Sequence, residues 1–373
     1  MNRIFKEGGE LVFESTYLPE YLPHREEQLN NLIEILEDGI EGKHYSIPVL
    51  YGNTGTGKTS TVRKVLKEIE NKYSEEGVKT IYINAATHRR AYTAIIRIAN
   101  RIVPIPERGY GIDEIILKLY DRLDMEGLKL IVAIDDADEL IRIETGKILE
   151  ILTRIEESYP RRLIYPIIVV RKLEILNILP PHISSKLGGY RIEFPQYNKE
   201  QLGDILKERI ERGIVENGIT ENAVKLSTYS TEKIFGGNAR ELLNMIYKAG
   251  KIAEANNDNK IYSEHIRMAL FDSYLKSIKP HLAVEGISEK KYYEILWPLI
   301  SILYKKNDVY EITRRDIENA YEVYKKMFKT QDDINTYVDY LEILAESETY
   351  ILSYDNGKII FFGYPVKILY ERL

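Results

Sequence analysis

The sequence predicts a parallel α/β domain, then a small all-helical domain, then a module of three helices closed by a β-hairpin. Three observations predict it. From Val49 to about Phe194, short β-rich apolar runs alternate with longer helical stretches: VLY at 49–51, TIYIN at 80–84, KLIVAID at 129–135 and LIYPIIVV at 163–170. That alternation is the pattern of parallel strands covered by helices. Beyond Pro195 only helical patterns follow as far as about Ile278, at 198–212, 220–230, 238–255 and 263–277, separated by Gly213, Gly218, Gly236 and Gly237. After Lys279 and Pro280, helical patterns at 289–304, 313–328 and 331–345 lead into the strand-like runs TYILSY and KIIFF, with Asp355, Asn356 and Gly357 between them. Asn-Gly is a strong hairpin signal because both residues tolerate positive φ. Three helices and a hairpin suggest a winged helix; a generic α+β module is the other reading.

Each part has its own start signal. Asn198 followed three residues later by Gln201 opens the helical domain by a capping-box arrangement. A chain of 373 residues exceeds what one core usually organises. We therefore expect domains at 1–195, 196–285 and 286–373.

Composition excludes several classes of function. Apolar residues are 44% and charged residues 29%, as in ordinary globular protein. With no cysteine and six histidines lacking metal-ligand spacing, disulfides and cysteine-ligated zinc are excluded. Glu7, Glu10 and Glu14 interrupt the first fifteen residues, so a secretory signal is not expected. The apolar run Ile295–Tyr304 is far short of the roughly 20 residues that span a bilayer. A cytoplasmic, nucleoid-associated location without membrane contact is the expectation. The net charge of −6 means that any nucleic-acid contact must come from local patches.

The clearest chemistry lies after the first strand. Gly52-Asn53-Thr54-Gly55-Thr56-Gly57-Lys58-Thr59 stands between the strand VLY and a helix expected to begin near Ser60. This is a P-loop in strand–loop–helix context. Its glycines let backbone N–H groups turn inward around phosphates, Lys58 reaches the β and γ phosphates, and the Thr59 hydroxyl ligates Mg²⁺. ATP or ADP with Mg²⁺ is the cofactor expected. The apolar strand Leu130–Ile134 ends in Asp135 and Asp136. Asp135 is expected to hold the Mg²⁺ water shell and Asp136 to activate water. Alternatively, Asp136 and Asp138 cap the following helix.

These residues resemble the archaeal replication initiators related to the origin recognition complex and the cell division control licensing factor: AAA+ ATPases with a helical lid and a C-terminal winged helix. The resemblance covers nearly the whole chain. Leu22-Pro23-His24-Arg25-Glu26-Glu27-Gln28-Leu29 matches the segment packing near the adenine, Phe194–Leu202 the start of the lid, and Gly237-Asn238-Ala239-Arg240 the sensor-2 motif. It implies that Pro23, His24, Arg25, Ser60 and Tyr197 contribute to the nucleotide pocket. It also implies that Arg240 meets the γ-phosphate. Where the family usually carries Asn at sensor 1, Arg171 stands, to meet the phosphate or turn outward. In Pro181–Gly188, Lys186 replaces arginines that act on a neighbour's nucleotide, and it lacks the bidentate fork. Since Asp136 stands where most AAA+ proteins have Glu, the site is expected to bind ATP better than it hydrolyses it.

The segment His88–Arg101 reads as one helix. At 100° per residue, Arg90, Arg97 and Arg101 share a stripe about 40° wide, while Ala91, Ile95, Ile98 and Ile102 share another. The family places a DNA-contacting insertion in this region. Arg89, Arg90 and Arg97 are the resulting candidates, with Lys358 at the wing tip; a solvated charged face is the alternative. The presumed recognition helix, Thr330–Glu346, has Asp332, Asp333, Asp339, Glu342 and Glu346 and no Lys or Arg. The resemblance implies a protein that binds duplex origin DNA, recruits the replicative helicase and works with paralogous initiators. A degenerate regulatory paralogue and an unrelated P-loop ATPase with a winged helix are the competing readings.

Overall fold

The computed structural model describes residues 3–106, 108–159, 161–187, 189–274, 287–347 and 351–372. It divides into two compact units, residues 18–196 and residues 1–17 with 197–373.

The unit 18–196 is an α/β domain with the elements α1 (Glu26–Ile40), β1 (Pro48–Tyr51), α2 (Lys58–Lys72), β2 (Val78–Asn84), α3 (Ala91–Ala99), α4 (Ile112–Met125), β3 (Lys129–Asp135), α5 (Asp138–Glu144), α6 (Lys147–Ser158), β4 (Ile164–Val170), α7 (Pro181–Ser184) and β5 (Tyr190–Glu193). The five strands form a parallel sheet in the order β2-β3-β4-β1-β5. Strands β3 and β4 are buried along almost their whole length, as their continuous apolar runs require when both faces are covered. All strands point the same way, so their C-terminal ends bring Asn84, Asp135, Val170, Tyr51 and Glu193 to one edge. Strand β5 was not expected from the sequence. Of its four residues only Ile192 is buried, so no apolar run marks it.

The other unit contains α8 (Lys199–Gly213), α9 (Glu221–Phe235), α10 (Ala239–Ala255), α11 (Ser263–Ser273), α12 (Glu289–Leu303), α13 (Arg314–Phe328), α14 (Ile334–Glu346), β6 (Leu352–Asp355), β7 (Lys358–Phe361) and α15 (Val366–Arg372). The capping box forms as the sequence predicts. Asn198 Oδ1 accepts from Gln201 N at 2.9 Å, and Asn198 N donates to Gln201 Oε1 at 3.1 Å. Helices α12 to α14 followed by the antiparallel pair β6–β7 have the element order expected of a winged helix. At the hairpin turn Asn356 and Gly357 have φ of 51° and 78°, the signs that the Asn-Gly turn demands. The expected break at 279–285 and the start of the run TYILSY lie outside the described residues.

Residues 3–17, expected with the α/β domain, pack on the helical lid instead. Phe5 bridges Ile214 and its ring lies against Gly250, where a Cβ would sit 2.3 Å from the ring. Phe13 meets Phe5 edge-on at 5.8 Å. Ile4 and Phe5, followed by Val12 and Phe13, thus complete the lid core.

Candidate functional site

The P-loop follows β1, and α2 starts at Lys58, two residues earlier than expected. The N–H groups of its first turn therefore face the loop, which favours an anion there. Gly52 has φ 148° and lies so close to Phe194 that a Cβ would be 2.3 Å from its carbonyl oxygen. Only glycine fits at that approach. Lys58 is buried, and its ammonium donates to the carbonyls of Gly52 at 2.5 Å and Asn53 at 2.7 Å. Burial pushes its pKa down, against the attraction of Asp135, Asp136 and Asp138. A buried ammonium resting on neutral loop carbonyls fits a site made to receive phosphate.

Asp135 is buried at the end of β3. Its Oδ2 accepts from Thr59 Oγ1 at 2.6 Å and Tyr82 Oη at 2.7 Å, and its Oδ1 accepts from Asp136 N at 2.9 Å. The hydroxyl and carboxylate expected to share Mg²⁺ are thus adjacent, and these donors fit that ion. Tyr82 was missed in the sequence. Burial, followed by the Asp135 charge, raises its phenol pKa to about 12, so it remains a donor. Arg63 covers its ring at 4.5 Å. In TIYIN, the period of two sets Tyr82 and Asn84 on one side of β2, beside the acids of β3; that signal was available.

Asp136 has φ 53°, a left-handed conformation that Asp tolerates better than most residues. Asn84 Nδ2 is 3.4 Å from its Oδ2, and Arg171 Nε is 3.8 Å from its Oδ1. Neither Asp136 nor Asp138 caps α5: the N-cap is Ala137, with no side-chain bond. Both Asp138 oxygens accept from Arg171 N instead, at 3.0 and 3.3 Å. Arg171 turns neither fully outward nor away from the acids.

Arg25 supports the loop from beneath. It is buried and donates to the carbonyls of Thr56 at 2.8 Å, His24 at 2.7 Å and Pro195 at 2.6 Å. His24, beside Pro23, has φ 62° at this bend. Asn53 and Thr54 are exposed; Gly55 and Gly57 take φ of 76° and 91°, and Ser60 lies in the first turn of α2. In the other unit, Asn238 caps α10 by accepting from Arg240 N and Glu241 N, leaving the Arg240 side chain exposed. Tyr197 is buried against Gly237, where a Cβ would lie 2.0 Å from its carbonyl oxygen. Lys186 folds onto its own chain, donating to Thr153 O at 3.0 Å.

The helix expected at 88–101 is shorter, because Arg90 is extended and the Ala91 N–H is taken by Glu144 at 2.6 Å. Its apolar face is buried as expected. Arg89, Arg90 and Arg97 are exposed, with Arg89 Nε donating to Ala86 O at 3.1 Å. Arg101 leaves the stripe, since it donates to Thr80 O and pairs with Glu70. Lys358 pairs with Glu311 at 2.7 Å. The expected start of the recognition helix is corrected too. Helix α14 begins at Ile334, Asp333 caps it, and Asp332 accepts from Lys291 and Tyr324 at 2.6 Å.

Two family models match the chain: an AAA domain over residues 40–179 and a Cdc6 AAA+ ATPase-type lid domain over residues 203–270. An ORC1-type DNA replication protein of Pyrococcus abyssi is 32% identical over 276 residues, covering 71% of this chain and 64% of the relative. The chain thus matches somewhat less than two thirds of that relative's length. The crystal structure of Cdc6p from Pyrobaculum aerophilum superposes with a TM-score of 0.83 at 25% identity, covering 99% of this chain and 97% of that one. The Aeropyrum pernix ORC1 protein in complex with DNA gives 0.65 at 26% identity, covering 100% and 97%. With its P-loop, paired acids and lid motif in order, this chain is an AAA+ protein with a Cdc6-type lid, and it is similar along most of its length to archaeal ORC1-type and Cdc6 proteins.

Proposed function

We propose that the protein is an ATP-binding replication initiator that binds duplex origin DNA and uses the nucleotide as a slow-turnover switch. The observation that carries this reading is the convergence of Lys58, Thr59, Asp135 and Asp136 at the edge of the sheet. The P-loop amides and Lys58 would hold the phosphates of ATP or ADP, and Thr59 and Asp135 would hold Mg²⁺. Bound Mg²⁺ neutralises charge developing on the phosphate oxygens. Asp136 acts as base toward water; its short side chain and its contacts with Asn84 and Arg171 support slow turnover.

Binding of duplex DNA is supported by the DNA complex of the A. pernix relative and by the exposed Arg89, Arg90 and Arg97. Recruitment of the replicative helicase and work with paralogous initiators rest on the family resemblance. A second reading, a regulatory paralogue acting through protein contacts, is favoured by α14, whose residues include Asp339, Glu342 and Glu346 and no cation.

Calorimetric titration of the full chain with ATP and Mg²⁺ tests the nucleotide part. Lys58→Ala should abolish binding, while Asp136→Ala should retain binding and suppress turnover. Nucleotide binding unchanged by Lys58→Ala, or rapid wild-type hydrolysis without a partner, would count against the switch.

A further inference from the structure

We infer that Arg171 is a positioning residue that restrains the carboxylate of Asp136, so that turnover is held down by an arginine–carboxylate pair as well as by the short aspartate. This deepens the reading of Asp136 as the base and rests on it.

Sheet order makes the juxtaposition unavoidable. In the sequence β3-β4-β1 across the sheet, the residues after β4 stand between the acids that follow β3 and the P-loop that follows β1. Arg171 is the first of them. Its backbone is fixed on both sides: its N–H donates to Asp138, and its carbonyl accepts from Gly52 N at 3.2 Å. The root of the side chain therefore cannot drift, and only its rotamer is free. Its Nε lies 3.8 Å from Asp136 Oδ1, while Asn84 Nδ2 lies 3.4 Å from Oδ2. Both oxygens of the carboxylate thus face donors.

For hydrolysis, the oxygen of the attacking water bonds to the γ-phosphorus as the bond from that phosphorus to the bridging oxygen breaks. The electron pair leaves with ADP, and the water proton passes to Asp136. An oxygen held toward Arg171 is not presented to that water. The separation is longer than the 2.7–2.9 Å of a strong charge-assisted bond, and the arginine side chain is 56% exposed. The restraint is therefore modest and screened by salt.

The test replaces the arginine with the family's usual residue, Arg171→Asn, in the full chain. Steady-state ATP turnover is measured at low and high salt, and ATP and ADP affinities are measured by calorimetric titration with Mg²⁺. The inference expects kcat to rise about two- to fivefold at low salt, the range an exposed ion pair supports. The gain should fade at high salt, with ATP and ADP affinities each within about twofold of wild type. An unchanged or lowered kcat overturns it. So does a tenfold loss of ATP affinity with ADP affinity kept, which would make Arg171 a γ-phosphate ligand. Asp136→Ala, assayed alongside, separates the two failures. If it leaves turnover intact, the base assignment fails and the inference with it. If it suppresses turnover while Arg171→Asn fails to raise it, the inference alone fails.

Discussion

Tyr82 shows how much a single hydroxyl can govern at this site. Thr59 and Tyr82 both donate to Asp135 Oδ2, and in the proposed site the Thr59 hydroxyl would also hold Mg²⁺ through an oxygen lone pair. Tyr82 would then be the donor that orients the carboxylate without itself holding the ion. Groups that orient a metal-binding residue typically matter by 10–100-fold in metal affinity. Tyr82→Phe should raise the Mg²⁺ concentration needed for ATP binding by about tenfold, toward the low end of that range because phosphates share the ion. Titration of Mg²⁺ at fixed ATP checks this, and an unchanged requirement would reduce Tyr82 to core packing. At this scale the sequence displayed the donors of greatest consequence, Lys58, Thr59 and Asp135, because each belongs to a contiguous motif. Tyr82 and Arg25 were harder to assign. Their partners, Asp135 and the Thr56 carbonyl, are brought together by sheet register and chain crossing rather than by spacing.

At the scale of elements, the acidic entry to α14 has a structural explanation. The hydrogen bond from Lys291, followed by that from Tyr324, depresses the Asp332 pKa to about 2 from an ordinary 3.8. A depressed carboxyl contributes stability in full above its ordinary pKa and loses it as pH falls through the folded-state value. The Asp332 contribution should therefore be intact above about pH 5 and fade between about pH 4 and pH 2. Asp332→Asn should lower Tm at pH 6, with the gap to wild type closing near pH 2.5; an equal gap at both would contradict the pairing. The elements most legible in the sequence were those with local punctuation: the Asn198–Gln201 cap, the Asn356–Gly357 turn and the apolar runs of β3 and β4. Edge strand β5 lacked an apolar run, and the expected helix at 88–101 lost its first turn to a distant partner, Glu144. Asp333 and Asp332 read as groove-facing acids because their caps and partners are invisible in a one-dimensional charge count.

At the scale of the molecule, the lid and the C-terminal elements form one unit. The guanidinium of Arg267 in α11 is fully buried. It donates to the carbonyls of Val309, Phe361 and Phe362 and pairs with Glu264, whose other oxygen accepts from Val366 N at 2.8 Å. Lys199 at the start of α8 pairs with Asp355 at the hairpin at 2.8 Å. Removing one partner of a buried charge network costs about 3–5 kcal/mol. Arg267→Met should destabilise this unit by that order in urea unfolding of the full chain, whereas a loss under 1 kcal/mol would mean the arginine is dispensable to the joint.

As a replication initiator, the proposed role, this AAA+ chain would act on duplex DNA. Its net charge of −6 makes that role exacting, since attraction must come from patches such as Arg89, Arg90 and Arg97. The most direct measurement is duplex binding by the full chain with ATP and Mg²⁺ across a range of salt, wild type against the Arg89→Ala, Arg90→Ala double variant. Wild type should bind tightly, with binding that weakens steeply with salt, and the variant should lose affinity and show a shallower salt slope. Negligible wild-type binding at low salt would contradict that role and turn the reading toward a regulatory paralogue.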